Sequence, residues 1–271
     1  MPELPEVETV KNALKKRLIN RSITSCTIYW NNIISYPTAH EFKMKIIKQH
    51  INDIERRGKF ILFILDDYIL LSHLRMEGKY YFKDNINTLN KHDHVVFTLD
   101  NKELLVYNDT RKFGKMYLIE KDKINIIGPL KDLGKEPFDN TLDTKYLHSK
   151  YNKKNIPIKS VLLDQSIITG IGNIYADEIL YLSKINPKTP ASKLKNSNLE
   201  DIITYTKEVL TKAISLGGTT IHTYTSVDGI TGKFQNNLLV HGKKTCPTCN
   251  SPILKIKISG RGTYYCPKCQ K

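Results

Sequence analysis

Four cysteines near the C-terminal end constrain the fold of this chain more than any other feature. Cys246-Pro-Thr-Cys249 and Cys266-Pro-Lys-Cys269 give the pattern C-x2-C-x16-C-x2-C, within the spacing of a four-thiolate zinc site. Four thiolates close a tetrahedral shell and leave no position for water, so the metal, one per chain, is expected to be structural rather than catalytic. Between the pairs, Leu254, Ile256 and Ile258 alternate with Lys255 and Lys257. Ser259-Gly-Arg-Gly262 then turns the chain into a second strand through Thr263-Tyr-Tyr265. The pattern predicts a two-stranded hairpin with Arg261 at its tip. Two disulfides would use the same cysteines, but nothing in the sequence suggests secretion. The fifth cysteine, Cys26, stands alone in a strand-like run and reads as core.

Charge says what this module touches. From His241 to Lys271 there are seven Lys and Arg residues and no Asp or Glu, within a chain of 271 residues and formal net charge +15. A compact basic hairpin is the electrostatic footprint of a phosphate-backbone partner. An AT-rich coding genome would raise the lysine count, but it would not remove the acids from this segment. A membrane surface is disfavoured, because no basic amphipathic helix and no apolar run of spanning length is evident. The N-terminus lacks the basic-then-apolar order of a signal peptide, and a cytoplasmic location is expected.

The other end of the chain carries potential chemistry. Met1-Pro-Glu-Leu-Pro-Glu-Val-Glu-Thr9 would, on removal of Met1, expose Pro2 as a secondary amine beside the acid Glu3. An α-amino group titrates at about 7.7–8.0, against about 10.4 for lysine, so a useful fraction is unprotonated at neutral pH. Such an amine attacks electrophilic carbon, and a secondary amine yields an iminium that stays cationic at any pH. Val7, Val10, Leu14 and Leu18 recur at helical spacing, with Pro5 suited to the first turn. The positive end of that helix dipole would help keep the amine neutral. An ordinary helix start, with Glu3, Glu6 and Glu8 serving the dipole, is the competing reading of these residues.

Between the ends, the pattern predicts an α+β multidomain chain. From about Ser22 to Ile119, short β-branched and aromatic runs such as Phe60–Leu65, His94–Leu99 and Glu103–Tyr107 alternate with turn signals, which argues an antiparallel sandwich. A Gly/Pro-marked connection spans 128–138. Beyond it, helical segments are expected near Thr144–Tyr151, Ile158–Asp164, Asn173–Lys184 and Ser197–Ser215, the last with a Ser197-x-x-Glu200 capping box. Gly170-Ile-Gly172 before Asn173 could let backbone N–H groups approach a phosphate. The expected boundaries are 1–127 for helix plus sandwich, 128–138 for a linker, 139–240 for the helical domain and 241–271 for the finger.

Together these features resemble the formamidopyrimidine-DNA glycosylase family. The shared motifs are the Met1–Thr9 start, Arg56-Arg-Gly-Lys-Phe60, Ser72-His-Leu-Arg-Met-Glu-Gly78, Asn108-Asp-Thr-Arg-Lys-Phe-Gly114, Gly170-Ile-Gly-Asn-Ile-Tyr175 and the four-cysteine finger. The resemblance implies a DNA repair enzyme acting as glycosylase and abasic-site lyase on oxidised purines. Its implied parts are an N-terminal catalytic domain, a helix–two-turn–helix domain and a zinc finger. Its partner would be damaged double-stranded DNA, bound by a monomer without a nucleotide cofactor. Pro2 resembles the nucleophile, Glu3 the acid that helps open the deoxyribose, and Lys59 the lysine that binds phosphate beside the lesion. His73 resembles a phosphate contact. Met76, Arg111 and Phe113 resemble the trio that fills the gap left by an extruded nucleotide, where apolar wedges replace lost stacking. Lys159 and Asn173 resemble phosphate ligands, and Arg261 the finger-tip residue. Thr219-Thr-Ile-His-Thr-Tyr224, with Thr219, Ile221, His222, Thr223 and Tyr224, matches the loop that encloses the flipped base. His241 and His222 depart from the Tyr and Arg usual at those positions. The endonuclease VIII-like branch, for oxidised pyrimidines, is the nearest alternative; Leu4 and Phe113 argue against it. A non-catalytic zinc-finger protein is disfavoured by Pro2, Glu3 and Lys59 together.

Overall fold

The first helix is dictated by its apolar stripe. In a computed structural model, which describes residues 1–219 and 232–271, α1 spans Leu4–Leu18, and Leu4, Val7, Val10, Ala13, Leu14 and Leu18 are all buried. Pro5 lies in its first turn, while Lys15, Lys16 and Arg17 close its last turn, each charge matched to the helix dipole.

The chain divides into two compact units. One comprises residues 1–131 together with Thr219 and Gly232; the other comprises Asp132–Gly218 and Lys233–Lys271. The change of unit falls inside the 128–138 connection, and the finger clusters with the helical segment.

In the first unit the strands are β1 (Ile23–Ile28), β2 (Ile34–Tyr36), β3 (Asp53–Arg57), β4 (Phe60–Ile64), β5 (Tyr68–His73), β6 (Lys79–Lys83), β7 (Asp93–Leu99), β8 (Leu104–Asn108) and β9 (Lys115–Glu120). They form a four-stranded sheet, β1-β7-β8-β6, and a five-stranded sheet, β2-β9-β5-β4-β3. All neighbours are antiparallel except β2 and β9, which run parallel. One apolar core joins Cys26, Val95, Phe97, Leu105 and Tyr107 of the first sheet to Ile54, Ile61, Phe63, Leu70 and Met116 of the second, with Val7, Val10 and Leu14 of α1. Helix α2 (Ala39–Ile46) lies where only strands were expected. It is opened by a capping box: Thr38 Oγ1 accepts from the Glu41 N–H at 3.2 Å, and Glu41 accepts from the Thr38 N–H at 3.2 Å.

The second unit contains α3 (Thr144–Tyr151), α4 (Ile158–Leu162), α5 (Asn173–Leu182), α6 (Asn196–Ser215) and the hairpin β10 (Leu254–Ile258) with β11 (Arg261–Tyr265). α4 and α5 each stop two residues earlier than the pattern predicts. α5 ends because Lys184 takes φ 55°, and the Ile185 N–H folds back onto the Leu180 carbonyl at 3.0 Å, a left-handed helix cap. The expected capping box of α6 does not form: Lys195 rather than Ser197 precedes the helix, and a single bond caps it, with Asn198 Oδ1 accepting the Lys195 N–H at 3.1 Å. The helix buries Leu199, Ile202, Thr206, Val209, Leu210 and Ala213 along one stripe. Among the described residues, no helix is long and apolar enough to cross a membrane.

Candidate active site and nucleic-acid interface

At the N-terminus, Pro2 and Glu3 are buried at the positive end of α1. The Glu3 N–H donates to Glu6 Oε2 at 2.9 Å. The other oxygen of Glu6 accepts from Thr219 twice, from its N–H at 2.7 Å and its hydroxyl at 3.0 Å. One buried carboxylate thus fixes both the helix start and the first residue of the expected base-enclosing loop. Ile221, His222, Thr223 and Tyr224 of that loop lie outside the described residues.

Lys59 sits on the turn between β3 and β4 and is buried. Arg56 anchors that turn to α1: its Nε donates to Glu8 at 2.7 Å and its guanidinium to the Gly58 carbonyl at 2.9 Å. Burial alone would raise the Glu8 carboxyl, but hydrogen bonds from Lys11 and Arg56 outweigh it and hold the group below its ordinary value. His73 is paired with Phe60 across β4 and β5, and the two rings meet edge to face at 4.6 Å. Burial, with the charges of Arg75 and Lys59, pushes the His73 imidazole down to about 3. It is therefore neutral at physiological pH. Because its Nδ1 accepts the Arg75 N–H at 3.0 Å, the proton rides on Nε2. His73 offers a hydrogen-bond donor without a charge.

Two loops carry the expected wedge. Met76 and Phe113 are exposed apolar side chains, and the Arg111 guanidinium lies 4.7 Å from the Phe113 ring centre. The buried carboxylate of Asp109 shapes the second loop by accepting N–H groups of Arg111, Phe113 and Gly114 at 3.0, 2.9 and 2.8 Å. The first loop closes on the same side chain as the second. A Cβ at Gly114 would stand 1.7 Å from the Tyr107 hydroxyl, and one at Gly78 would stand 2.2 Å from it. Gly114→Ala is therefore expected to destabilise the chain by about 1–3 kcal/mol through overpacking. Urea unfolding should show a smaller penalty in a Tyr107→Phe background, where the nearest clashing atom is gone. The same penalty in both backgrounds would place the strain elsewhere.

In the second unit, Gly172 precedes Asn173, the first residue of α5. Gln165 shapes this turn, with its amide donating to the Leu163 and Ile171 carbonyls and accepting the Gly170 N–H. Asn173 Nδ2 donates to the Gly262 carbonyl at 2.9 Å. Lys159 requires a correction. Its side chain is 0 % exposed, and its ammonium donates to Asp177 at 2.7 Å and to the Gly262 carbonyl at 3.1 Å. An ammonium so enclosed holds the hairpin instead of facing a phosphate. Arg261 is exposed and begins β11; the tip itself is Ser259-Gly260, both with positive φ, as a tight hairpin turn requires. His241 turns inward on one side, its Nδ1 2.7 Å from Asp177 and its ring edge-on to Tyr264 at 4.8 Å.

Two acids absent from the sequence-derived site, Asp177 and Glu178, organise this region. Glu178 accepts the N–H groups of Leu239, Val240 and His241 at 2.7, 3.0 and 2.8 Å. Burial raises its carboxyl above the ordinary value despite those bonds. The available signal was an Asp-Glu pair inside a helix whose residues Ile174–Tyr181 are otherwise apolar.

The four cysteine sulfurs lie within 4.8 Å of one another. The pairs Cys246–Cys269 and Cys249–Cys266 stand at 3.8 and 3.5 Å. That is too long for disulfides and close to the edge, about 3.8 Å, of a tetrahedron with zinc–sulfur bonds of about 2.3 Å. The Tyr181 hydroxyl lies 3.2 Å from Cys246 Sγ and supports the shell from outside.

Sequence profiles of three domains match the chain in order. They are the formamidopyrimidine-DNA glycosylase N-terminal domain over residues 1–116, the H2TH domain of the same enzymes over 133–225, and the zinc finger found in FPG and IleRS over 243–271. Over its full length, the chain is 45 % identical to a formamidopyrimidine-DNA glycosylase of Oceanobacillus iheyensis and covers 98 % of it. The chain belongs to the formamidopyrimidine-DNA glycosylase family. The four cysteines accordingly form the family's finger and hold one structural zinc. Solved relatives share the fold. A Lactococcus lactis FPG mutant bound to a Fapy-dG containing DNA superposes with a TM-score of 0.94 at 40 % identity, with both chains fully covered. The wild-type Lactococcus lactis enzyme bound to an oxidized pyrimidine containing DNA gives 0.92 at 39 %, again with full coverage of both.

Proposed function

We propose that this chain is a bifunctional DNA glycosylase and abasic-site lyase that removes oxidised purines, 8-oxoguanine and formamidopyrimidines, from duplex DNA. The observation that carries the reading is the buried Pro2–Glu3 pair at the start of α1, in a chain of this family, with Lys59 on the β3–β4 turn and His73 at the end of β5 in the same unit. The lesion nucleotide leaves the stack at a cost of a few kcal/mol, and Met76, Arg111 and Phe113 fill the gap. With Met1 removed, the Pro2 nitrogen attacks C1′; the N–C1′ bond forms, and the bond to the base breaks as Glu3 supplies a proton. The sugar ring then opens as the C1′–O4′ bond breaks and O4′ takes up a proton, which leaves an iminium between the Pro2 nitrogen and C1′. This iminium withdraws electrons from C2′, whose proton is lost as the 3′ phosphate departs. A second elimination expels the 5′ phosphate, and hydrolysis returns the amine. The sequence of steps needs only one chain and no nucleotide cofactor, and a cytoplasmic DNA-repair role suits it.

The second reading, excision of oxidised pyrimidines, is favoured by the Lactococcus lactis relative whose solved complex holds such a lesion. Borohydride reduction during turnover decides the chemistry. The expected product is an enzyme–DNA adduct on the N-terminal peptide, at Pro2, in a chain whose mass lacks Met1. An adduct on an internal lysine, with the N-terminal peptide unmodified, would overturn the assignment. The same assay on duplexes with defined lesions ranks purines against pyrimidines.

A further inference from the structure

Three parts of the second unit converge on one carboxylate. Asp177, in the middle of α5, is 1 % exposed. Its Oδ1 accepts from the Lys159 ammonium of α4 at 2.7 Å, and its Oδ2 accepts from His241 Nδ1 at 2.7 Å and from the Tyr264 N–H of β11 at 3.1 Å. Lys159 continues to the Gly262 carbonyl, which Asn173 also bonds. Next to Lys159, the Ser160 hydroxyl meets that of Ser259 at 2.8 Å, on the hairpin turn.

These bonds differ in kind from the zinc shell. The cysteines grip the hairpin at its open end, where Leu254 pairs with Tyr265 and Cys266 follows. Lys159 grips β11 near its turn, through the Gly262 carbonyl next to Arg261, while Asp177 holds the Lys159 ammonium in place and takes the Tyr264 N–H nearer the open end. A hairpin held only at its open end pivots, and its tip moves most. A buried ion pair is a weak source of stability, since an apolar pair of similar volume often serves as well. What this pair supplies is fixed direction: one carboxylate and one ammonium with their hydrogen bonds aimed at specific backbone atoms of β11.

We propose that Asp177 is a positioning residue that, with Lys159, docks the turn end of the finger hairpin on α4 and α5 and so aims Arg261 at a DNA phosphate. The proposal rests on the reading of this chain as a duplex-binding enzyme. Asp177→Asn keeps the shape of the side chain but leaves the Lys159 charge uncompensated.

The test uses the full-length, zinc-loaded chain. Asp177→Asn should retain one zinc yet show at least tenfold faster hydrogen exchange at the Tyr264 amide. Its affinity for undamaged duplex should fall about tenfold, with a log–log salt slope shallower by about one unit, the signature of one lost phosphate contact. Arg261→Ala should weaken binding in the parent but by less than twofold in the Asp177→Asn background. If Arg261→Ala costs the same factor in both backgrounds and the Tyr264 amide stays protected, the proposal is wrong. Should Asp177→Asn fail to fold, the double variant Lys159→Met/Asp177→Leu removes both charges and is read in the same way. A parent chain that bound no duplex would sink the proposed function instead, and Tyr264 exchange would still decide whether Asp177 docks the hairpin.

Discussion

Glu3→Gln is expected to slow base excision by about 10²–10⁴-fold, the usual range for loss of general acid help, while sparing most nicking at a preformed abasic site. The substitution is nearly isosteric, and the bond that orders this corner comes from the backbone: the Glu3 N–H donates to Glu6. Gln therefore keeps the start of α1 and the placement of Pro2, and removes only the exchangeable proton. Expelling an intact base requires that proton. An abasic site has already lost its base, so its conversion to the iminium leans far less on Glu3. Single-turnover assays on two duplexes, one with an oxidised purine and one with an abasic site, separate the steps. Equal losses on both would contradict the role given to Glu3, and would point to a misplaced amine.

The difference between Glu3 and Glu6 shows where sequence reading stops. The apolar stripe of α1, the alternation of β10 and the cysteine spacing are local patterns, and each was legible because its residues answer to near neighbours. α2 was missed although Thr38 and Glu41 spell its cap, since the surrounding runs read as strand. The Ser197-x-x-Glu200 signal was real in form but lost to Asn198, whose side chain accepts the Lys195 N–H and caps an earlier start. Glu6, Asp177 and Glu178 were illegible for a different reason. Acids are exposed by default, and only partners far along the chain reveal otherwise: Glu6 meets Thr219, Asp177 meets Tyr264, and Glu178 meets His241. Lys159 misled in the same way, because a lysine in a basic DNA-binding chain reads as a phosphate ligand until its buried carboxylate is seen. The positions expected to touch a ligand were nameable from motifs; those that hold them in place were not.

Removing the zinc should be the most disruptive change to binding. A segment of about 30 residues has too little core to fold unaided, and a structural zinc contributes about 10–16 kcal/mol of binding energy to finger peptides. Around the site the buried apolar surface is small: Tyr181, Val240, Cys246 and Cys266, with Leu239, Ile253 and Tyr264 beside them. Cys249→Ser or a strong chelator is therefore expected to melt the hairpin, release β11 from Asp177 and scatter the seven basic residues of His241–Lys271. Because phosphate contacts and counterion release supply most of the affinity, binding should fall by about two orders of magnitude for damaged and undamaged duplexes alike, with a much shallower salt dependence. Pro2, Glu3 and Lys59 belong to the other unit, whose core is independent of the metal. Very high DNA concentration should therefore recover part of the nicking, and borohydride should still trap the adduct at Pro2. Duplex titrations at several salt concentrations, before and after chelation, check both halves of this expectation. An affinity unchanged by complete loss of zinc would mean that the finger carries none of the DNA backbone.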